Sequence, residues 1–248
     1  MRRFIATACA VLATLCLYAT SAHASVLIGA TRVVFPAKQG EVTVRLSNTS
    51  DHPALVEAWI DTGDVHSTPD SVSTPFLITP PLFRIEPNKD QSLRIIFAPG
   101  SQPLPGDRES LFWLNVLEIP PKPAGAAADR NTLQFAIRSR LKLFYRPDKL
   151  PGDPLKAPDQ LIFKVVADGR GAALEIHNPT PYHITISKLA LGADGKPLEG
   201  VEGMAAPFGD LRLPLKGVAH APQAGTPVVF TTINDYGAGD VHQGVVSR

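Results

Sequence analysis

Two carboxylates flank a cation at Asp107-Arg108-Glu109, and seven histidines are scattered along the 248-residue chain. These are the side chains that acid–base or metal chemistry would use. A catalytic carboxylate pair needs a pocket that sets the two protonation states apart, and nothing around residues 107–109 marks one. His23 lies near the N-terminus, and His52, His66, His177, His183, His220 and His242 follow without an H-x-x-x-H or H-x-H pair to share a metal. They read as turn and surface residues. No G-x-S-x-G elbow, P-loop or G-x-G-x-x-G occurs. An enzyme is not expected, nor a cofactor, nor a bound metal. Asn48-Thr49-Ser50 fits a glycosylation sequon, a match that short patterns give readily by chance.

A different chemistry is concentrated between Asn131 and Pro147, NTLQFAIRSRLKLFYRP. Leu133, Phe135, Ile137, Leu141, Leu143 and Tyr145 share one parity, interrupted at Ser139. The other parity carries Arg138, Arg140, Lys142, Phe144 and Arg146 and is largely cationic. Alternation of this kind predicts an amphipathic strand. Helical spacing would join Leu133, Ile137, Leu141 and Phe144 but strand Phe135, Leu143 and Tyr145 on the polar side. At 17 residues the strand exceeds the usual maximum of about 10, as if it outgrew its sheet or joined two domains. Leu133, Phe135 and Ile137 are either ordinary core residues or an apolar edge kept for another chain. Such edges recruit partners by strand addition and are otherwise avoided.

The elements that must position this stretch are short strands. The chain opens on Met1-Arg2-Arg3, an apolar run from Phe4 to about Tyr18, and Ser21-Ala22-His23-Ala24. This is the pattern of a signal peptide over 1–24, cleaved before Ser25 and too short to span a membrane. Both cysteines, Cys9 and Cys16, lie inside it, so the exported chain must be stabilised by its core alone. The 24 basic and 23 acidic residues nearly balance, unlike a nucleic-acid binder. Strand-like runs follow at Val26–Phe35, Glu41–Leu46, Ala54–Ile60, Phe76–Ile78, Leu82–Ile85, Ser92–Phe97 and Leu111–Leu117, with turns every 8–12 residues. That spacing is the signature of an immunoglobulin-like sandwich. Asp148–Pro158 reads as a linker. Beyond it the pattern repeats at Leu161–Val166, Ala173–His177, Ile184–Leu191, Asp210–Leu215 and Val228–Ile233, with little room for a last strand before Arg248. The expected organisation is 25–147 and 148–248, all β.

Arg108–Asn115 (RESLFWLN), Glu118–Pro121 (EIPP) and Lys142–Pro147 (KLFYRP) resemble the periplasmic pilus chaperones of chaperone–usher systems, the PapD-like family. Thr31–Phe35, Asn178–Tyr182 (NPTPY) and Ile233–Gly237 (INDYG) extend the resemblance over essentially the whole exported chain in order. It implies two immunoglobulin-like β-sandwich domains set as a boomerang with a cleft between them, and a periplasmic location. It also implies a chaperone that completes pilus or fimbrial subunits by donor-strand complementation and hands them to an outer-membrane usher, with a self-capping homodimer when free. Carried over, Leu133, Phe135 and Ile137 would be the donor side chains. Arg32 and Lys142 would hold the subunit's C-terminal carboxylate, and Glu109, Arg146 and Asp235 would form an interdomain salt bridge. Full burial of three such donors would contribute roughly 5–9 kcal/mol gross. Because Leu141, Leu143 and Tyr145 share the donors' parity, either a bulge or twist near Ser139 or a donor segment beyond the home sheet is expected. The rivals are a two-sandwich binding module or adhesin without chaperone activity, and a pilus subunit, which would carry a cysteine pair.

Overall fold

Buried and exposed side chains alternate along Glu41–Asn48, where Val44 and Leu46 are buried and Thr43 and Arg45 exposed. The computed structural model describes residues 26–98, 100, 103–120, 133–169, 171–192, 198, 202–215 and 222–247. The leader with Cys9, Cys16 and His23, residues 121–132 and His220 lie outside the described residues.

The first domain contains β1 (Val26–Ile28), β2 (Arg32–Pro36), β3 (Glu41–Asn48), β4 (Ala54–Asp61), β5 (Phe76–Thr79), β6 (Leu82–Ile85), β7 (Asp90–Phe97), β8 (Ser110–Ile119) and β9 (Ile137–Arg146). One sheet has the order β1-β3-β7-β5 and the other β2-β9-β8-β4-β6. All pairs are antiparallel except β2 with β9. Phe35, Leu46, Val56, Leu93, Ile95, Leu114 and Leu143 are fully buried between the sheets. Phe35, Phe76, Phe97, Phe112 and Tyr145 add a cluster of ring contacts at one end.

The second domain contains β10 (Ile162–Asp168), β11 (Gly171–His177), β12 (Ile184–Leu191), β13 (Gly203–Ala205), β14 (Asp210–Pro214), β15 (Pro227–Ile233) and β16 (Gly239–Val245). Its sheets are β10-β11-β14 and β13-β12-β15-β16, closed over Phe163, Leu174, Ile176, Ile186 and Phe230. The fold is all-β, two immunoglobulin-like domains.

Several expectations need correction. The run Val26–Phe35 is two strands in different sheets, because the backbone turns at Gly29, whose N–H donates to the Arg45 carbonyl (2.9 Å). The proposed 17-residue strand begins only at Ile137. Seven residues after Gly237 do form a strand, β16, paired along its length with β15. The segment 148–158 is not slack: Ala157 and Pro158 are buried, and Gly152 accepts the Tyr182 hydroxyl (3.2 Å). Asn48, in the sequon, is 1% exposed and donates through Nδ2 to the carbonyls of His52 and Ile85, so it is not a glycan acceptor.

Candidate partner-binding site

Pro120 ends β8, since proline has no N–H for a ladder. The β8–β9 ladder therefore closes at Glu118–Ile137. On the other edge β2 reaches only from Lys142 to Arg146, because the chain before Arg32 crosses to the facing sheet. From Ile137 to Leu141, β9 thus has β8 on one edge and, among the described residues, no strand on the other. The register through Ser139 is unbroken, with Ser139 opposite Val116, so there is no bulge. Leu133 and Phe135 lie beyond the home sheet, one of the two expected outcomes, while Ile137 sits on its last rung. Leu141 and Leu143 are core residues, whereas Leu133, Phe135 and Ile137 are 79%, 71% and 48% exposed.

Parallel pairing sets Arg32 beside Lys142 on neighbouring strands. Both cations are held by neutral oxygens of the second domain: Arg32 Nη1 donates to the Ile233 carbonyl (2.7 Å) and Lys142 Nζ to the Thr185 hydroxyl (3.1 Å). Arg32 Nε is buried without a hydrogen-bond partner, a costly state for a charged donor. Burial, and then the neighbouring Arg32 charge, push the Lys142 pKa down. Burial lowers that of Arg32 too, against the opposing charges of Asp235 and Glu109. Two crowded cations and an unsatisfied N–H thus leave positive charge uncompensated between the domains.

The nearest acids are committed elsewhere. Arg146 Nε donates to Glu109 Oε1 (2.7 Å), and its Nη1 and Nη2 donate to Asp235 (2.7 and 2.9 Å). Burial opposes the Arg146 charge, but the bonds and charges of Asp235 and Glu109 outweigh it and raise its pKa. Glu109 Oε2 also accepts the backbone N–H of His183 (2.7 Å), and the Glu109 N–H donates to the Pro181 carbonyl (2.9 Å). Asp107 and Arg108 form only an exposed pair, so the Asp107-Arg108-Glu109 triplet is split between surface and interface. His183 belongs to this interface rather than to the surface, with its side chain 7% exposed and its ring 5.4 Å from that of Phe144. His242 is likewise enclosed, between Asp159 (2.7 Å) and Thr232 (3.0 Å). That order has the connectivity of a hydrolytic triad, but Thr232 is 3% exposed, so the set ties strands together and presents no nucleophile.

A second network was invisible in the sequence. Asp61, 1% exposed, accepts Arg140 Nη2 (2.5 Å), Asn115 Nδ2 (2.7 Å), Ser67 Oγ (3.1 Å) and the Gly63 N–H (2.6 Å). Burial alone would raise its pKa, yet these bonds together hold it below the usual carboxylate range. Arg138 and Arg140 lie over the rings of Trp59 and Trp113 (4.6 and 4.3 Å). Here the polar parity of β9 is spent on the home domain. The partners of Asp61 are up to 79 residues away in the chain.

Residues 25–151 match the family model "Pili and flagellar-assembly chaperone, PapD N-terminal domain" and 156–244 match "Pili assembly chaperone PapD, C-terminal domain". The chain belongs to the PapD-like family of pilus chaperones. It is 44% identical to the chaperone protein FimB/FhaD of Bordetella pertussis, over 99% of this chain and 98% of that protein. The crystal structure of the YadV chaperone superposes with a TM-score of 0.75 at 37% identity, covering 90% of this chain and all of that one. The Salmonella enterica SafB chaperone, solved in complex with the SafA pilin, gives a TM-score of 0.73 at 30% identity over 92% and 99% of the two chains. This protein is a periplasmic, non-enzymatic chaperone of the chaperone–usher pathway that binds pilin subunits.

Proposed function

We propose that this chaperone lends Leu133, Phe135 and Ile137 to a pilin's unfilled hydrophobic groove while Arg32 and Lys142 grip the pilin's C-terminal carboxylate. The carrying observation is that one strand, β9, bears both halves of the arrangement. Its N-terminal overhang is apolar and solvent-facing, and five residues beyond Ile137 its side chain joins the cation pair.

The direction of the client follows from chain geometry. A carboxylate between Arg32 and Lys142 puts the client's last residue where β2 begins, so its final strand runs along the open edge of β9 from beside Ile137 up to Lys142. That strand is parallel to β9, as β2 is. A one-residue slip would turn every donor away from the groove, and the carboxylate contact fixes against that. Charge-assisted hydrogen bonds of this kind contribute about 1.5–3 kcal/mol each.

The Glu109–Arg146–Asp235 set braces the two domains so that Ile233 and Thr185 meet the cations. Delivery of the loaded pilin to an outer-membrane usher, and mutual capping of two free copies through their apolar overhangs, complete the proposal. The three exposed donors support capping, since patches of this kind favour association. Co-expression with a pilin tests the clamp: Arg32→Ala with Lys142→Ala leaves a folded chaperone that no longer recovers the subunit. Undiminished recovery would reject the clamp. Sedimentation of the free protein at rising concentration tests capping, which predicts a dimer that Phe135→Asp abolishes.

A further inference from the structure

We propose that Arg138 is the residue that locks the donor segment's face and exit direction, a positioning role that rests on the donor reading above. Ile137 is the last rung of the ladder with β8, and Arg138 is the next residue, so the two point to opposite faces. Arg138 is held on its face by several independent groups. Its Nε and Nη2 donate to Asn115 Oδ1 (2.9 and 2.7 Å), its Nη1 to the Val65 carbonyl (2.8 Å) and its Nη2 to Ser67 Oγ (3.1 Å). The guanidinium also covers the Trp59 ring at 4.6 Å.

Three of these anchors are buried and themselves hydrogen-bonded. Asn115, Ser67 and Trp59 are 0%, 4% and 6% exposed. Asn115 Nδ2 is tied to Asp61 (2.7 Å), which turns its Oδ1 toward Arg138, and Trp59 Nε1 donates to Ser67 Oγ (3.2 Å). The planar fork of arginine matches several fixed acceptors in a way no ammonium can.

Alternation converts this anchorage into a parity lock. With Arg138 pinned outward, Ile137 must face the other way, and Phe135 and Leu133 follow at period two. Ahead of Ile137 the overhang has, among the described residues, a home strand on neither edge, so without the pin it is free to roll about its axis. The sequence shows Arg138 merely as one of four alternating cations. Its neighbours Arg140 and Lys142 serve the Asp61 carboxylate and the cleft, and Arg138 alone sits at the root of the donor.

The test compares Arg138→Ala and Arg138→Lys with wild type, and uses Phe135→Asp as a control on the donor reading. Three quantities are read: hydrogen exchange of amides 137–139 in the free protein, lifetime of the complex with a co-expressed pilin, and affinity for a peptide of that pilin's last residues. R138A is expected to speed exchange and shorten the lifetime about tenfold or more, the effect of losing one charged hydrogen bond, with peptide affinity unchanged. R138K keeps the charge but not the fork and is expected to show most of the same loss. It also serves if R138A is globally destabilised. Wild-type exchange and lifetime in both variants, while F135D abolishes the complex, would overturn the role of Arg138 and leave the donor reading standing. A complex that survives F135D overturns both.

Discussion

Replacing Leu133, Phe135 and Ile137 together by serine separates the binding role of β9 from its folding role. In the free protein these side chains are 79%, 71% and 48% exposed, so little of their surface is removed from water at home. Scaling the roughly 1.5–3 kcal/mol available from burying each such side chain by those exposures leaves about 3–6 kcal/mol to be gained in a pilin groove. This is below the 5–9 kcal/mol expected from sequence, chiefly because Ile137 is already half covered. The triple variant should therefore hold its pilin about 10²–10⁴-fold less tightly. Its own stability should change by little, as surface substitutions do, with Ile137 accounting for most of any loss. The assay pairs pilin recovery after co-expression with thermal unfolding of the free chaperone. Retained recovery would refute the donor assignment, and a collapse in the free protein's Tm would mean the residues belong to its own core.

Asp61→Ala leaves the Arg140 guanidinium, whose side chain is 18% exposed, without its carboxylate, and should cost about 3 kcal/mol, the low end for a broken buried pair, read as a Tm drop of roughly 10 °C. Because the folded-state pKa of Asp61 is depressed, its contribution is present at neutral pH and lost as pH falls through that lowered value; Asp61→Asn should flatten this part of the acid unfolding curve. Lys142 has a lowered pKa, so affinity for a C-terminal pilin peptide should fall with rising pH before an ordinary lysine would lose its proton at about 10.4, and a titration flat beyond that point would contradict the clamp. Gly237 has φ +83° and a Cβ there would run into Thr31 Oγ1. Gly237→Ala should thus push the domains apart and weaken peptide binding, while Thr31→Gly in the same chain restores part of it. The remaining defect is the left-handed backbone strain, about 1–2 kcal/mol.

How much could be read in advance depended on the range of the interaction. Period-two alternation marked β3, β7, β8 and β9 because each buries one face, a property local to the strand. Where β9 begins was not local: it is set by Pro120 ending β8 and by β2 starting at Arg32, so alternation alone carried the strand over the described residues 133–136, which lie ahead of it. The break at Gly29–Thr31 was missed because both halves of the run are apolar and only the change of sheet distinguishes them. Asp61, Asn115 and Ser67 gave no signal, since their chemistry lies in meeting Arg138 and Arg140 across the fold. His183 and Thr185 were unread for the same reason. Their contacts with Glu109 and Lys142 exist only once the two domains are apposed.

In the clamp proposed for the cleft, acids and cations are sorted rather than mixed. Glu109 and Asp235 could neutralise Arg32, and their charges do oppose the lowering of its pKa. Arg146 engages both carboxylates instead, donating three hydrogen bonds from its fork, while Arg32 and Lys142 donate only to a carbonyl and a hydroxyl. The same interdomain contacts that satisfy one arginine thereby leave the other pair electrostatically open. Moving a carboxylate into reach of Lys142 should close it: Thr185→Asp would supply a permanent internal anion there, raise the Lys142 pKa and raise the free protein's Tm. Peptide binding would fall at least as far as with Lys142→Ala. A Thr185→Asp variant that still bound the carboxylate normally would show that surplus positive charge is not what the cleft offers its client.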